Sequence, residues 1–252
     1  MRQLLLIFLF GVLFFSCSSS IDTVNMSSQE RLDYAISLYN DEDYELSVTE
    51  FQAIILQYPG NAVIDDAQYY LAMSRFKRGE LILAAFEFSK LIKNMPVSEF
   101  VPQAQFMLAE SYYELSPDYS LDQRYTKKAI EEYQAFLDFF PANPSVPEAE
   151  KKIHELNEKL AQKEFNNALI YEKLEFYIAA LKYYDTVLEV YHDTKFAPMA
   201  SYNKINLLIA RNRSRDALDE ITKFLQRYPS DQRVKEIEGL KNSLENLLSA
   251  SK

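Results

Sequence analysis

The sequence has few of the residues on which metal sites and many catalytic sites depend. Its 252 residues include one cysteine, two histidines, four glycines and no tryptophan. A single cysteine excludes an intramolecular disulfide, and His154 and His192 lie too far apart to form a recognised zinc or Cys/His nucleophile spacing. Four glycines leave little room for a phosphate-binding loop. We therefore expect no metal, no cofactor and no catalytic residue.

The charge balance narrows the class of partner. There are 37 acidic residues against 27 lysines and arginines, and the formal net charge is −10. Nucleic-acid binding needs clustered positive charge, so nucleic acid is not an expected ligand. The same balance argues against a protein held on an anionic membrane by charge alone. Few glycines and no alternating strand patterns favour an all-α fold.

Residues 67–96 form a unit that recurs along the chain. Two apolar-periodic stretches are separated by Gly79 and followed by Pro96, which is typical of a helical hairpin. Twelve residues before each terminal proline, or its equivalent, stands a small residue, and four residues after it a larger apolar one. The small residues are Ser47, Ala84, Ala129, Ala180 and Ala217, and the larger ones are Phe51, Phe88, Tyr133, Tyr184 and Ile221.

A second small residue marks the first helix of each hairpin. It is found at Ala35, Ala72, Ala109 and Ala168, and Ile205 breaks the pattern. Small residues let paired helices approach closely, and a single hairpin cannot bury its apolar face, so such units stack. The spacing resembles the tetratricopeptide repeat, lengthened by about three residues. It predicts an all-α, right-handed solenoid of about five hairpins with a C-terminal capping helix, with an ordinary helix bundle as the alternative.

The N-terminus indicates export and a lipid anchor. Residues 1–16 carry Arg2 and then a 12-residue apolar core at residues 4–15, which is too short to span a bilayer and suits a signal peptide. Ser16 and Cys17 follow directly and resemble the lipobox of bacterial lipoproteins, in which the cysteine is lipid-modified. Residues 17–28 then read as a flexible tether. A plain cleaved signal peptide or a short anchor with an incidental cysteine is the alternative.

The remaining chain divides into two predicted repeat arrays. Residues 29–141 contain hairpins one to three, and hairpin three carries an insertion before its second helix, predicted from about residue 127 to residue 140. Residues 142–252 begin with a linking helix of about 28 residues, or about 42 Å. Hairpins four and five follow, with a charged capping helix predicted at residues 231–248.

The irregular middle of the chain resembles the BamD family, the lipoproteins of the outer-membrane β-barrel assembly machinery. The resemblance depends on residues in the insertion, the long helix and hairpin four, namely Asp122, Arg124, Leu160, Ala161, Glu164, Ala168, Tyr171, Tyr177, Ala179, Ala180, Tyr191, Asp193 and Thr194. It implies a non-enzymatic scaffold anchored in the outer membrane and facing the periplasm. The implied partners are the periplasmic domains of the central barrel-assembly protein and unfolded outer-membrane protein clients.

Two candidate binding surfaces follow. The first is an inner face of the N-terminal repeats, where helical register and the resemblance suggest client binding by Tyr69, Met73, Phe76, Phe106, Glu110 and Tyr113. These side chains could instead be core. The second is the basic cluster Arg211, Arg213 and Arg215 at the turn of hairpin five, where the resemblance puts the barrel-assembly protein. Charge complementarity at a helix C-terminus is the alternative.

Two other functions remain open from the sequence. One is a periplasmic repeat lipoprotein that maintains the cell envelope or coordinates peptidoglycan with the outer membrane. The other is an enzyme or sugar-binding lipoprotein on a repeat scaffold. It would require a deep polar pocket with a perturbed acid, for which the sequence offers no pattern.

Overall fold

The computed structural model describes residue 23 and residues 25–250, and this part of the chain contains eleven helices and no strand. The predicted signal peptide and Cys17 lie outside the described residues. The helices are α1 Ser28–Asn40, α2 Tyr44–Gln57, α3 Ile64–Lys77, α4 Leu81–Asn94, α5 Val101–Glu114, α6 Arg124–Phe139, α7 Val146–Lys173, α8 Tyr177–Val190, α9 Phe196–Ala210, α10 Ser214–Arg227 and α11 Val234–Ala250.

The helices form five stacked hairpins and a final helix, as the repeat predicts. Each helix packs against the next one along the chain, and α7 contacts α6, α8 and α9. The hairpins are α1–α2, α3–α4, α5–α6, the C-terminal half of α7 with α8, and α9–α10, and α11 covers α10. The all-α repeat fold is therefore confirmed. No helix in the described part of the chain is long and apolar enough to cross a membrane.

The paired small and large residues lie in the core at every repeat. All five small residues of the second helices are fully buried, and so are the five large residues that follow them. The small residues of the first helices and Ile205, which replaces one of them, are also 0% exposed. The residues of the predicted pattern thus form the packing surface between the helices. Adding or removing a single methyl group at such a surface changes the stability of the protein.

Four of the hairpins share the same three-residue turn, at residues 41–43, 78–80, 174–176 and 211–213. Its central residue has a positive φ each time, 63° at Glu42, 74° at Gly79, 62° at Glu175 and 57° at Asn212. Only hairpin two uses glycine there. The repeat therefore imposes a left-handed backbone that side chains other than glycine adopt at a cost of roughly 1–2 kcal/mol.

A polar contact that the sequence analysis did not identify joins the two helices of most hairpins. The acceptor is a glutamate in the second helix, three residues after the small residue of that helix. The donor is in the first helix, four residues before the small residue of that helix. Gln68 Nε2 donates to Glu87 Oε2 at 2.8 Å, and the equivalent Gln105 Nε2 donates to Glu132 Oε2 at 2.8 Å. Arg31 pairs with Glu50 at 2.8 Å, and Ser201 donates to Glu220 at 2.7 Å. Hairpin four has Glu164 and Tyr183 at these positions.

The long helix α7 has the expected 28 residues. Three lysines on α7 fasten it to hairpin three and its insertion. Lys152 Nζ binds Glu110 at 2.6 Å, Lys159 Nζ binds Ser116 Oγ at 2.8 Å, and Lys163 Nζ binds the Leu121 carbonyl at 2.7 Å. The insertion is thus packed on the linking helix. The division of the chain at residue 141 stays a prediction.

Two predicted helix starts were wrong by three residues. Helix α6 begins at Arg124 rather than near residue 127, because Asp122 Oδ1 accepts the Arg124 backbone N–H at 3.1 Å and fixes the chain there. Helix α11 begins at Val234 rather than residue 231, because the Asp231 carboxylate binds both the backbone and the guanidinium of Arg233 and holds a turn.

Replacement of Gly79 by alanine tests the backbone requirement of the turn. A Cβ atom at Gly79 would meet nothing within 4 Å, so only its φ of 74° opposes the change. We expect Gly79→Ala to lower the free energy of unfolding by about 1 kcal/mol. Gly239 is the matched control, because it is exposed inside α11 and also has open space; Gly239→Ala should raise stability by about 0.5–1 kcal/mol. Equal effects of the two changes in urea denaturation would contradict this explanation.

Candidate functional site

The predicted N-terminal face is largely hairpin packing. Tyr69, expected to be exposed, is 8% exposed and stacks on Phe100 with ring centroids 4.6 Å apart. Burial raises the pKa of the Tyr69 phenol to about 12. The expectation of exposure is wrong here because Tyr69 packs in the core cluster that joins α3, α4 and α5.

Glu110 is also buried, contrary to expectation, and belongs to a polar network. Its carboxylate accepts hydrogen bonds from the Tyr133 hydroxyl and from Lys152 Nζ. Tyr113 is half-buried beside it, donates to Glu155 at 2.9 Å, and has the Lys152 ammonium 4.2 Å from its ring centroid. Burial and, to a lesser extent, the hydrogen bond to Glu155 raise the pKa of Tyr113 to about 12. This network ties hairpin three to α7.

The other three predicted residues of this face are half-buried. Met73 and Phe76 pack at the edge of the core of hairpin two, and Phe106 contacts Phe136 edge-to-face at 5.3 Å. The part of this face that a client could touch is therefore smaller than the sequence indicated. The assignment of these residues to client binding stays a prediction.

The predicted basic cluster lies at the turn between α9 and α10, and its three side chains are exposed. The Arg211 guanidinium stacks 4.3 Å from the ring centroid of Tyr177, and Arg213 Nε binds Asp216 at 2.6 Å. Arg211 also follows the last residue of α9, where positive charge complements the helix dipole. Arg211 can complement the dipole of α9 and still contribute to a binding surface, because its stacking on Tyr177 directs the guanidinium toward hairpin four.

An apolar cleft of about 870 Å³ lies between the turns of hairpins four and five. We call it the hairpin-four cleft. Its walls are mainly apolar and aromatic, with basic residues at one side: Tyr171, Glu175, Phe176, Tyr177, Ile178, Ala179, Leu181, Lys182, Arg211 and Arg213. A concave apolar surface with a few charged groups is the usual form of a binding site.

The cleft continues into an exposed apolar tip. Ile170, Leu174, Phe176 and Ile178 are 55%, 57%, 61% and 87% exposed. Exposed apolar residues that lie together indicate an interaction site. The sequence held a signal for this site, because the turn at residues 174–176 is apolar at both ends, whereas the equivalent turns of hairpins one, two and five are polar or charged.

Comparison with known proteins assigns the family. Residues 25–208 match the YfiO family, described as outer membrane lipoproteins, and this is well over half of the chain. The chain belongs to this family. A relative from Rickettsia prowazekii (strain Madrid E), the outer membrane protein assembly factor BamD, is 25% identical over 197 residues, which cover 77% of this chain and 78% of the relative. The region that matches the YfiO family includes the apolar tip and ends before Arg211.

The solved structures similar to this chain include tetratricopeptide-repeat proteins. The thermophilic protein TTC0263 from Thermus thermophilus is 19% identical, with 86% of this chain and 98% of that chain covered and a TM-score of 0.37. The P58(IPK) repeat domain is 17% identical, with 88% and 56% covered and a TM-score of 0.44.

The described residues contain no group of three or more His, Cys, Asp or Glu that could hold a metal ion. The titratable groups in the hairpin-four cleft are Glu175, Lys182, Arg211 and Arg213, with the tyrosines Tyr171 and Tyr177. This arrangement combines apolar contact area with positive charge at the rim. It can bind a polypeptide surface by burying apolar side chains and pairing carboxylates.

Proposed function

We propose that this member of the YfiO family is a non-enzymatic scaffold of outer-membrane β-barrel protein assembly. The observation that carries the proposal is the family match together with the relative, whose name is that of an assembly factor. In this proposal the protein is anchored through a lipid on Cys17, faces the periplasm and acts by binding. Its partners are the periplasmic domains of the central barrel-assembly protein and unfolded clients.

The hairpin-four cleft is the surface that we assign to the central barrel-assembly protein. Phe176 and Ile178 are exposed at its mouth, and Arg211 and Arg213 stand at its side. Buried aromatic and aliphatic anchors supply most of the affinity of an interface, whereas charges at the rim steer and orient the partner. A domain with an apolar side chain flanked by carboxylates would complement this cleft.

We assign client binding to the N-terminal repeats, with a smaller set of residues than the sequence suggested. Met73 and Phe76 retain partial exposure, whereas Tyr69 and Glu110 serve the core. Aromatic-rich unfolded segments could contact the former pair. Changes at Tyr69 or Glu110 would act first on folding, so they are poor probes of client binding.

Charge reversal tests the assignment of the cleft. The double variant Arg211→Glu, Arg213→Glu should reduce co-purification of the central barrel-assembly protein from detergent-solubilised outer membranes about tenfold, because repulsion replaces pairing at the rim. Arg78→Glu is the matched control, because Arg78 has the register of Arg211 in the turn of hairpin two. Equal recovery with the double variant and the control would contradict the assignment. Failure of the unmodified protein to recover the partner would contradict the proposed function itself.

Removal of the sole cysteine tests the anchor. Cys17→Ala should move the protein from the membrane fraction to the soluble periplasmic fraction, since two or three acyl chains at ~0.8 kcal/mol per buried CH₂ would no longer hold it. Fractionation followed by immunoblotting measures the change, with Ser18→Ala as the control. Retention of the Cys17→Ala protein in the membrane fraction would count against a lipid anchor.

A further inference from the structure

The solvent-facing side of α4 differs from that of the other second helices. Six residues share this side, within a sector of about 120° at 3.6 residues per turn. They are Ile82, Leu83, Phe86, Ser89, Lys90 and Lys93, and we call them the α4 face. Its three apolar side chains are 57%, 47% and 62% exposed. Large apolar side chains are thus presented together at the start of the helix.

The repeat register allows the same six positions to be compared in every hairpin. Each of the other second helices has at least one carboxylate there, namely Glu45 in α2, Glu131 and Asp138 in α6, Asp185 and Glu189 in α8, and Asp216 and Asp219 in α10. The α4 face has none. In a chain of net charge −10, it therefore combines apolar area with positive charge only.

The two lysines follow the apolar residues along the helix. Lys90 lies one turn after Phe86 and Lys93 about two turns after it. Lys90 Nζ is 3.7 Å from Glu87, whose carboxylate points inward and accepts a hydrogen bond from Gln68 at 2.8 Å. A lysine beside exposed apolar residues can lie with its stem along the apolar surface while its ammonium group reaches lipid phosphates, an arrangement that is favoured at membrane interfaces.

We propose that the α4 face rests on the surface of the membrane to which the protein is anchored. Ile82, Leu83 and Phe86 enter the boundary between headgroups and acyl chains, and Lys90 and Lys93 face lipid phosphates. The proposal rests on the proposed anchor at Cys17. It adds a second contact, which orients the repeat array on the membrane.

The length of the tether permits this contact. Eight residues lie between Cys17 and Met26, whose carbonyl accepts a hydrogen bond from the Tyr58 hydroxyl at 2.9 Å and fixes the chain on hairpin one. The nine Cα–Cα steps from Cys17 to Met26 span about 30 Å when fully extended. Helix α4 has 14 residues, or about 21 Å, so the tether is long enough for either end of hairpin two to reach the bilayer. The anchor keeps the α4 face at a high local concentration near lipid, so a weak contact suffices.

The absence of tryptophan from the sequence allows a direct test. The variant Phe86→Trp has a single tryptophan, and the full-length lipidated protein can be placed in vesicles of phosphatidylethanolamine and phosphatidylglycerol. We expect a blue-shifted emission, and quenching of about twofold or more when the acyl chains are brominated. Phe139→Trp is the control, because Phe139 is 74% exposed near the end of α6. Its emission should not change with bromination.

A second variant separates apolar contact from mere proximity. Adding Leu83→Asp to Phe86→Trp places a charge in the α4 face without touching the core, and it should abolish the quenching while the protein stays with the vesicles. Vesicle-bound Phe86→Trp protein that is quenched no more than the Phe139→Trp control would overturn the proposal. Photocrosslinking from position 86 to a protein rather than to lipid in cells would also overturn it. Loss of the protein from the vesicles would contradict the anchor and this proposal together.

Discussion

The close approach of paired helices at small residues is the constraint on which the structure depends. At Ala84 and Ala180, as at the equivalent positions of the other hairpins, the side chain is completely buried, and the large side chain four residues later is buried with it. No hairpin buries these surfaces alone, so each is stable only against its neighbours. Contacts such as Gln68 with Glu87 fix the register of the two helices, because a shifted pair would leave a buried carboxylate without its donor.

Because the buried residues hold the helices together, the residues of the turns and outer faces can vary and form binding surfaces. The same left-handed turn is apolar at its ends in hairpin four and basic in hairpin five, and these two turns flank one cleft. The outer side of α4 likewise differs from its equivalents without any change in the core. Because Lys152, Lys159 and Lys163 fasten α7 to hairpin three, these surfaces are held on a continuous scaffold. Binding therefore resides in residues that the repeat does not require.

The sequence predicted the core well and the surfaces poorly, for a physical reason. Small and large residues recur at fixed spacing because packing requires them, so periodicity alone located Ala129 and Tyr133 in the core. Exposure of a first-helix residue depends on what the next hairpin presents, and register alone could not show that Phe100 covers Tyr69. The hairpin-four cleft was missed because it forms between two turns distant in sequence. The sequence signal was the apolar composition of the turn around Phe176, which is recognisable only when this turn is compared with the equivalent turns of the other hairpins.

Enlargement of one small residue tests the packing account most directly. Ala180 is fully buried between α7 and α8, whereas its neighbour Ala179 lines the open cleft. Ala180→Leu should lower the free energy of unfolding, measured by urea denaturation, by about 1–3 kcal/mol, because the added side chain forces the helices apart. Ala179→Leu should change it by less than about 0.5 kcal/mol. If the two variants are equally stable, close helix approach at the small residues does not hold the hairpins together.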